Sequence, residues 1–348
     1  MNTTFSYRSV AEVDSATSKS PSAFSLALIL QTKERNDVIR WYVPQVQHHL
    51  ENFAVDLLIV GAADTAAKSD GSSALPNSPH IFYFGLSADE CAFSLERKIF
   101  NSITRFSPKY DYLWFCRDRS APDLTNVYDC LQKAFIERDC DFVVLYPHGS
   151  AETAHVQKHY TDPCEFIREQ YGNMISLGSI VFRTSFLQKL IIAQPLNAVC
   201  NASFWMPSAL FAYIANIPFK CDYIGGRNFV QYPKEQFSSW MQDSFLELWA
   251  TRWKTIIAKL PSRYDGQKSH VICHENWSIS PFTPYFLLAA KSMGGLKLTD
   301  VWRRKQDIDE VTQYPFLKIF CIALIPRCIA KMYFKLKIFF TNLSQKNN

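Results

Sequence analysis

The chain has 348 residues, 48% hydrophobic and 15% aromatic, enough apolar mass to bury a large core in one domain with additions or in two smaller domains. Its formal charge of +5 is small for this length, and no stretch interleaves basic and aromatic residues as a nucleic-acid groove requires, so nucleic acid is not expected as a partner. Ten scattered cysteines with no C-x-x-C pair argue against a disulfide-stapled secreted fold and for a reduced, cytoplasmic compartment.

Residues 1–22 are rich in Ser, Thr and Ala and carry no apolar segment behind a basic start, so they read as a flexible N-terminal tail rather than a signal peptide. Residues 24–30 (FSLALIL) form an apolar run that ends in Gln31 and Thr32, and 36–50 has helical spacing, which gives strand, loop, helix. A second buried strand is expected over 55–60 (VDLLIV), ending at Gly61 and Asp64, followed by a Ser/Gly/Pro-rich loop over 69–79. A third strand follows over 81–84, then a helix over 92–106. The apolar strand 110–115 (YDYLWF) stops at Cys116, Arg117, Asp118 and Arg119. A helix over 126–138 and a strand over 141–146 continue the alternation, which predicts an α/β fold with a mostly parallel sheet flanked by helices. Ligands of such sheets bind beyond the carboxyl ends of the strands. Thr32, Asp64 and Asp118 all follow expected strands and mark that edge, although each alone serves equally well as a helix cap or turn former.

The segment LILQTKERNDVI, with Gln31 where a proline is usual, resembles the opening loop of the family 2 glycosyltransferases of the GT-A fold. The resemblance implies a GT-A-like nucleotide-sugar-binding and transferase domain over 23–230. It implies that Thr32, Lys33 and Arg35 meet the nucleobase and ribose of the donor, and that Asp64 contacts a uracil or thymine ring. The stretch ERKIFNSITRFSPKYDYLWFCRDRSAPDL is similar to the family's helix, strand and acidic metal motif, which places Lys98 toward the diphosphate and Asp118 on a divalent ion, Mn²⁺ or Mg²⁺. Only Asp118 is acidic here. Its neighbours Arg117 and Arg119 offer guanidinium forks that neutralise diphosphate without a metal, so ion and arginines stand as alternatives.

FIREQYGNMISLGSIVFRTSFLQKL resembles the family's acceptor side, with Gly178 allowing close backbone approach to the sugar. The family's general base, an acidic residue before an aromatic one, would fall in NASFWMPSALFAYIA, where Ala202 and Ser203 precede Phe204 and Trp205. The base is then another carboxylate, Asp162 or Glu165, or the protein has lost transferase activity. Trp205 is the candidate for stacking on a sugar face, and Phe204 reads as core. His270 and His274, in a stretch with strand-like apolar content, are either late metal ligands or ordinary hydrogen-bonded histidines.

Toward the C-terminus, a helical extension is expected over 231–310. Its 235–260 stretch, with Trp240, Phe245, Leu248, Trp249 and Trp253 at helical spacing, reads as a helix packing on the main domain and ended by Pro261. Residues 311–348 read as a basic amphipathic tail for a membrane surface: over 316–340, Arg327, Lys331 and Lys335 recur every four residues among bulky apolar ones. The alternative is a helix packed on the body with solvated lysines. Lys318 and Arg327 interrupt the most apolar stretch, so no spanning segment is expected.

Together these readings imply an inverting glycosyltransferase at the inner face of the cell membrane. It would move a sugar from a UDP- or dTDP-linked nucleotide-sugar donor to a lipid-linked polysaccharide or cell-wall glycan acceptor. The alternative is a non-catalytic sugar- or nucleotide-binding partner of another transferase.

Overall fold

A computed structural model of the chain describes residues 24–32, 36–53, 55–62, 78–91, 93–147, 157–176, 178–194, 205–232, 241, 245–274 and 280–346. The chain divides into two compact units, one drawn from Met1–Asp162, Asn173–Cys200 and Asn216–Tyr232, the other from Pro163–Gly172, Asn201–Ala215 and Pro233–Asn348.

The first unit holds all the strands among the described residues: β1 (Leu26–Gln31), β2 (Val55–Ala62), β3 (Ile81–Leu86), β4 (Tyr112–Cys116), β5 (Ser120–Pro122), β6 (Phe142–Leu145), β7 (Gln157–Tyr160), β8 (Ile180–Arg183), β9 (Cys221–Ile224) and β10 (Phe229–Gln231). Eight of them form one sheet in the order β3-β2-β1-β4-β8-β6-β9-β7, and β5 pairs with β10 as a separate antiparallel ribbon. β1 is parallel to both β2 and β4, β2 is parallel to β3, and β6 is parallel to β9. β8 is antiparallel to β4 and β6, and β7 is antiparallel to β9. The sheet is mostly parallel, as the alternation of apolar runs and helical spacings predicts.

β1 is buried over five consecutive residues, Leu26 to Leu30, the continuous apolar pattern of a parallel strand covered on both faces. Helices α1 (Asn36–Phe53), α2 (Ala88–Cys91), α3 (Leu95–Phe106) and α4 (Leu124–Gln132) return the chain between strands. Tyr42, Val43, Val46 and Leu50 of α1 join Leu28, Leu57, Trp114 and Val143 in one core, where full burial of each aliphatic side chain contributes about 1.5–3 kcal/mol. α3 starts at Ser94, whose hydroxyl accepts the Arg97 N–H at 3.3 Å, and it buries Ile99, Ser102, Ile103 and Phe106, the spacing of one helix face.

Two details of this unit depart from the sequence reading. The helix expected over 126–138 starts at Leu124 and passes into a π-helical segment, Lys133–Glu137, followed by Asp139 at φ 56°. β7 was not anticipated, because QKHY carries no apolar alternation; it is an edge strand that leaves His159 exposed.

α5 (Pro163–Met174) belongs for most of its length to the second unit, while α6 (Thr184–Ala193) follows β8 in the first. The second unit is helical: α7 (Trp205–Ile214), α8 (Trp253–Ala258), α9 (Asp265–Ile272), α10 (Pro284–Met293), α11 (Leu298–Arg303), α12 (Lys305–Val311), α13 (Phe316–Leu324) and α14 (Arg327–Lys346). Its core is aromatic. The rings of Tyr171 and Phe211 stack at 4.8 Å, Trp253 meets Tyr171 edge-on at 5.0 Å, and the Tyr264 hydroxyl donates to the Phe211 carbonyl at 2.8 Å.

The helix expected over 235–260 is described at Met241 and from Phe245 onward, where a π-helical segment, Glu247–Arg252, leads into α8 ahead of Pro261. The single helix expected over 316–340 is two, because Pro326 has no N–H to donate to the preceding turn and α14 starts directly after it. Arg327, the first residue of α14, is exposed and also serves α10. Its guanidinium donates to the carbonyls of Ser292 at 3.0 Å and Met293 at 2.6 Å, satisfying the last turn of α10.

Gly294 ends α10 at φ +101°, and a Cβ there would stand 3.1 Å from Arg327 Cζ. Gly294→Ala is expected to lower stability by about 1–3 kcal/mol, read as a lower urea midpoint. Combined with Arg327→Ala it should cost less than the sum of the two single changes, because the steric part disappears.

Candidate functional site

In the parallel register of β1 and β4, Leu30 lies opposite Cys116, so the two strands deliver Gln31–Thr32 and Arg117–Asp118–Arg119 side by side at one edge of the sheet. Thr32 is held by its N–H, which donates to the Val60 carbonyl at 3.0 Å, and its hydroxyl is buried without a hydrogen-bond partner among the described residues. Gln31 donates from Nε2 to Ser102 Oγ at 3.2 Å, and the Ser102 hydroxyl donates to the Lys98 carbonyl at 2.9 Å. That chain fixes the Gln31 amide and leaves Oε1, also buried and without a partner among the described residues, as an acceptor. Lys98 is half-buried on α3, and its backbone carbonyl is tied through Ser102 to the Gln31 amide at the end of β1.

Arg117, Asp118 and Arg119 form a tight turn closed by the Ser120 N–H donating to the Arg117 carbonyl at 3.3 Å. The chain then enters β5, tied down by Ser120 Oγ donating to Gln231 Oε1 at 2.9 Å and by the Tyr232 N–H donating to the Arg119 carbonyl at 2.9 Å. Arg117 extends NH1 to Ser176 Oγ at 2.7 Å, and burial moves its guanidinium below the usual arginine range, with Asp118 opposing that shift. Below the turn Tyr42 and Cys116 are buried: burial holds the Tyr42 phenol well above its ordinary value, aided by Cys116 and the charge of Asp118, and burial pushes the Cys116 thiol up to about 12.

Gly178 meets this turn from the other side. Its φ is +98°, and a Cβ there would lie 3.3 Å from the Arg117 backbone nitrogen and 3.5 Å from the Phe115 carbonyl oxygen. Its carbonyl accepts the Trp114 indole N–H at 2.6 Å. In this structure the backbone that approaches Gly178 is that of the Arg117 turn.

Lys33, Arg35 and Asp64 lie outside the described residues, as does the segment of Ala202, Ser203 and Phe204. Trp205 opens α7, with its side chain outside the described residues. Asp162 is exposed ahead of α5, and Glu165 sits in the first turn of α5, where a carboxylate favours the helix N-terminus. The stretch around the two histidines is helical, not strand-like: His270 is on α9. His274 is wholly buried and donates Nε2–H to the Trp249 carbonyl at 2.7 Å, the ordinary hydrogen-bonded role.

Residues that the sequence alone does not single out include Ser102 and Ser176, which orient the Gln31 amide and the Arg117 guanidinium. Asn228 is another: wholly buried after β9, it donates from Nδ2 to the Ile224 carbonyl at 2.9 Å and the Tyr146 carbonyl at 3.3 Å. Ser102 and Ser176 lie inside the segments that carry the family resemblance, whereas Asn228 stands outside them.

No family model and no curated protein matches the sequence. Among solved structures, TarS 1-349 of S. aureus aligns at 11% identity over 82% of this chain and 88% of that one, with a TM-score of 0.48, and it has also been crystallised with UDP-GlcNAc. The mannosyltransferase PcManGT of Pyrobaculum calidifontis, in complex with GDP-Man and Mn²⁺, aligns at 10% identity over 94% of this chain and 93% of that one, with a TM-score of 0.45. Both scores lie under one half, so the functional reading rests on the strand ends themselves.

Gly178→Ala should displace the backbone of Arg117 and lower stability by about 1–3 kcal/mol, measured by urea unfolding. Ser176→Ala, which removes only the Arg117 partner, should cost less than Gly178→Ala in the same measurement.

Proposed function

We propose that the chain is a glycosyltransferase that binds a nucleotide-diphosphate sugar at the carboxyl ends of β1 and β4. The observation that supports this most is the turn Arg117–Asp118–Arg119, set beside the buried polar atoms of Gln31 and Thr32 and braced by Gly178. Two guanidinium groups on an ordered turn suit the oxygens of a diphosphate, and the polar end of β1 suits a base or ribose. The turn supplies one carboxylate between two cations, a poor donor set for Mn²⁺ or Mg²⁺, which favour several oxygen ligands. In this proposal Arg117 and Arg119 carry the diphosphate charge, and Lys98 adds to it.

In an inverting transfer the acceptor oxygen bonds to the anomeric carbon as the bond to the diphosphate breaks. The nucleoside diphosphate leaves with the electron pair, and the hydroxyl proton passes to a carboxylate base, for which Asp162 and Glu165 remain the candidates.

Titration of the purified chain with UDP and dTDP, with and without Mn²⁺, tests the site. Binding is expected without metal. Asp118→Ala should leave affinity within a few-fold, and Arg117→Ala together with Arg119→Ala should weaken it at least tenfold. Binding that needs Mn²⁺ and vanishes in Asp118→Ala would transfer the diphosphate role to a metal. Absence of nucleotide binding would sink the proposal, and binding without transfer to any acceptor would identify the chain as a non-catalytic nucleotide-binding partner.

The acceptor we propose is a lipid-linked glycan, reached from the inner membrane surface. What supports it is α14. Ala330 and Phe334 pack toward α10, where the Phe334 and Tyr285 rings lie 5.5 Å apart, while Ile329, Met332, Tyr333 and Leu336 remain about half exposed at helical spacing. Lys331 and Lys335 are exposed beside that stripe. No described helix is long and apolar enough to cross a membrane, so the contact proposed is peripheral. The chain should co-sediment with vesicles containing phosphatidylserine more than with neutral ones. Lys331→Glu with Lys335→Glu should abolish the difference, since each basic residue near an anionic surface contributes about 1 kcal/mol.

A further inference from the structure

At the opposite edge of the same sheet, the amino ends of β6 and β9 bring together three residues that the proposed transfer does not use. Cys140 lies just before β6, Asp222 is on β9, and His159 stands opposite Asp222 in the antiparallel pairing of β7 with β9. Their ligand atoms, Cys140 Sγ, one Asp222 oxygen and one His159 nitrogen, all lie within 4.8 Å of one another. Among the described residues this is the only such trio of His, Cys, Asp or Glu.

Cys140 and Asp222 are wholly buried, and His159 is exposed, so the cluster has two inner members and one that opens to solvent. His159 Nδ1 is 2.8 Å from Asp222 Oδ1, and the Arg138 guanidinium holds the other carboxylate oxygen, Oδ2, at 2.7 Å. Arg138 itself is anchored by NH2 donating to Gln157 Oε1 at 3.2 Å. One oxygen of the carboxylate is thus held by Arg138, and the other faces the imidazole.

We infer that Cys140, His159 and Asp222 form a binding site for a thiophilic divalent cation of the zinc class, separate from the donor site. One thiolate, one imidazole and one carboxylate oxygen are the mixed soft and borderline set that zinc takes, and they do not suit the all-oxygen shells of Mg²⁺ or Ca²⁺. Tetrahedral bonds of about 2.0–2.3 Å place ligand atoms roughly 3.3–3.6 Å apart, which this cluster reaches by shifts of about one ångström. His159, on the edge strand, is the member freest to make them. A solvent molecule completes four-coordination on the exposed side.

Arg138 then acts as the outer hydrogen-bond partner that keeps the carboxylate monodentate. On binding, the Cys140 thiol gives its proton to solvent and neutral His159 carries its proton on Nε2, so one proton is released per ion and nothing is oxidised or reduced.

The test is Co²⁺ titration of the full chain after treatment with a chelator, read by absorption. One equivalent should produce the visible bands of tetrahedral cobalt and a sulfur-to-cobalt charge-transfer band, both lost on adding Zn²⁺. Cys140→Ser should remove the charge-transfer band, and His159→Gln, a change at an exposed side chain, should weaken Co²⁺ binding at least tenfold. Arg138→Ala should weaken it about 10–100-fold. UDP affinity should be the same in wild type and His159→Gln, which separates this site from the donor site. Absence of tetrahedral bands, or a charge-transfer band that survives in Cys140→Ser, would overturn the inference and leave the trio as a hydrogen-bonded junction of β6, β7 and β9.

Discussion

Everything proposed for the donor site depends on one piece of backbone pairing, the parallel register of β1 with β4. Parallel strands that start level also end level, so two polar segments 86 positions apart, Gln31 and Arg117, emerge side by side without any direct attraction between them. The hydrogen-bond ladder supplies the alignment, and the buried faces of Leu28, Leu30 and Trp114 lock it, because a slip by one residue would turn those side chains away from the core. Polar groups collect at this edge because the apolar runs end there.

Much of this was legible in the chain. FSLALIL and YDYLWF announced buried strands because continuous apolar runs bounded by polar residues have few other solutions, and Thr32 and Asp118 lie just past their ends. Other features depend on partners far away in sequence. Nothing in QKHY marks it as a strand; it pairs because β9 presents an open edge. Arg327 looks like one more cation in a four-residue rhythm until α10, some thirty positions earlier, presents it with unpaired carbonyls. Pro326 was the one local signal that the rhythm breaks, since a proline in a helix interior loses a hydrogen bond and crowds the preceding turn at a cost of about 3 kcal/mol. His274 likewise takes its meaning from Trp249, which closes on it only in the folded second unit.

The sheet also separates two kinds of chemistry. Its carboxyl edge gathers guanidinium and hydroxyl groups around a turn, a setting for phosphate oxygens. Its amino edge gathers sulfur, imidazole and one buried carboxylate with its own arginine. β6 and β9 begin at that edge, and the loop after β9 carries Asn228 to the end of β6. Structure built at one edge therefore bears on the strands that shape the other.

Gly178 touches the Arg117 turn in two ways at once: its α-carbon leaves no room beside the Arg117 nitrogen, and its carbonyl holds the indole three residues earlier on β4. Ser176 adds a third tie through the guanidinium. Three short-range constraints across two chain segments make them a single mechanical body. A displacement of Arg117 is thereby coupled to the segment that leads into β8, so the turn and the strand behind it move as neighbours.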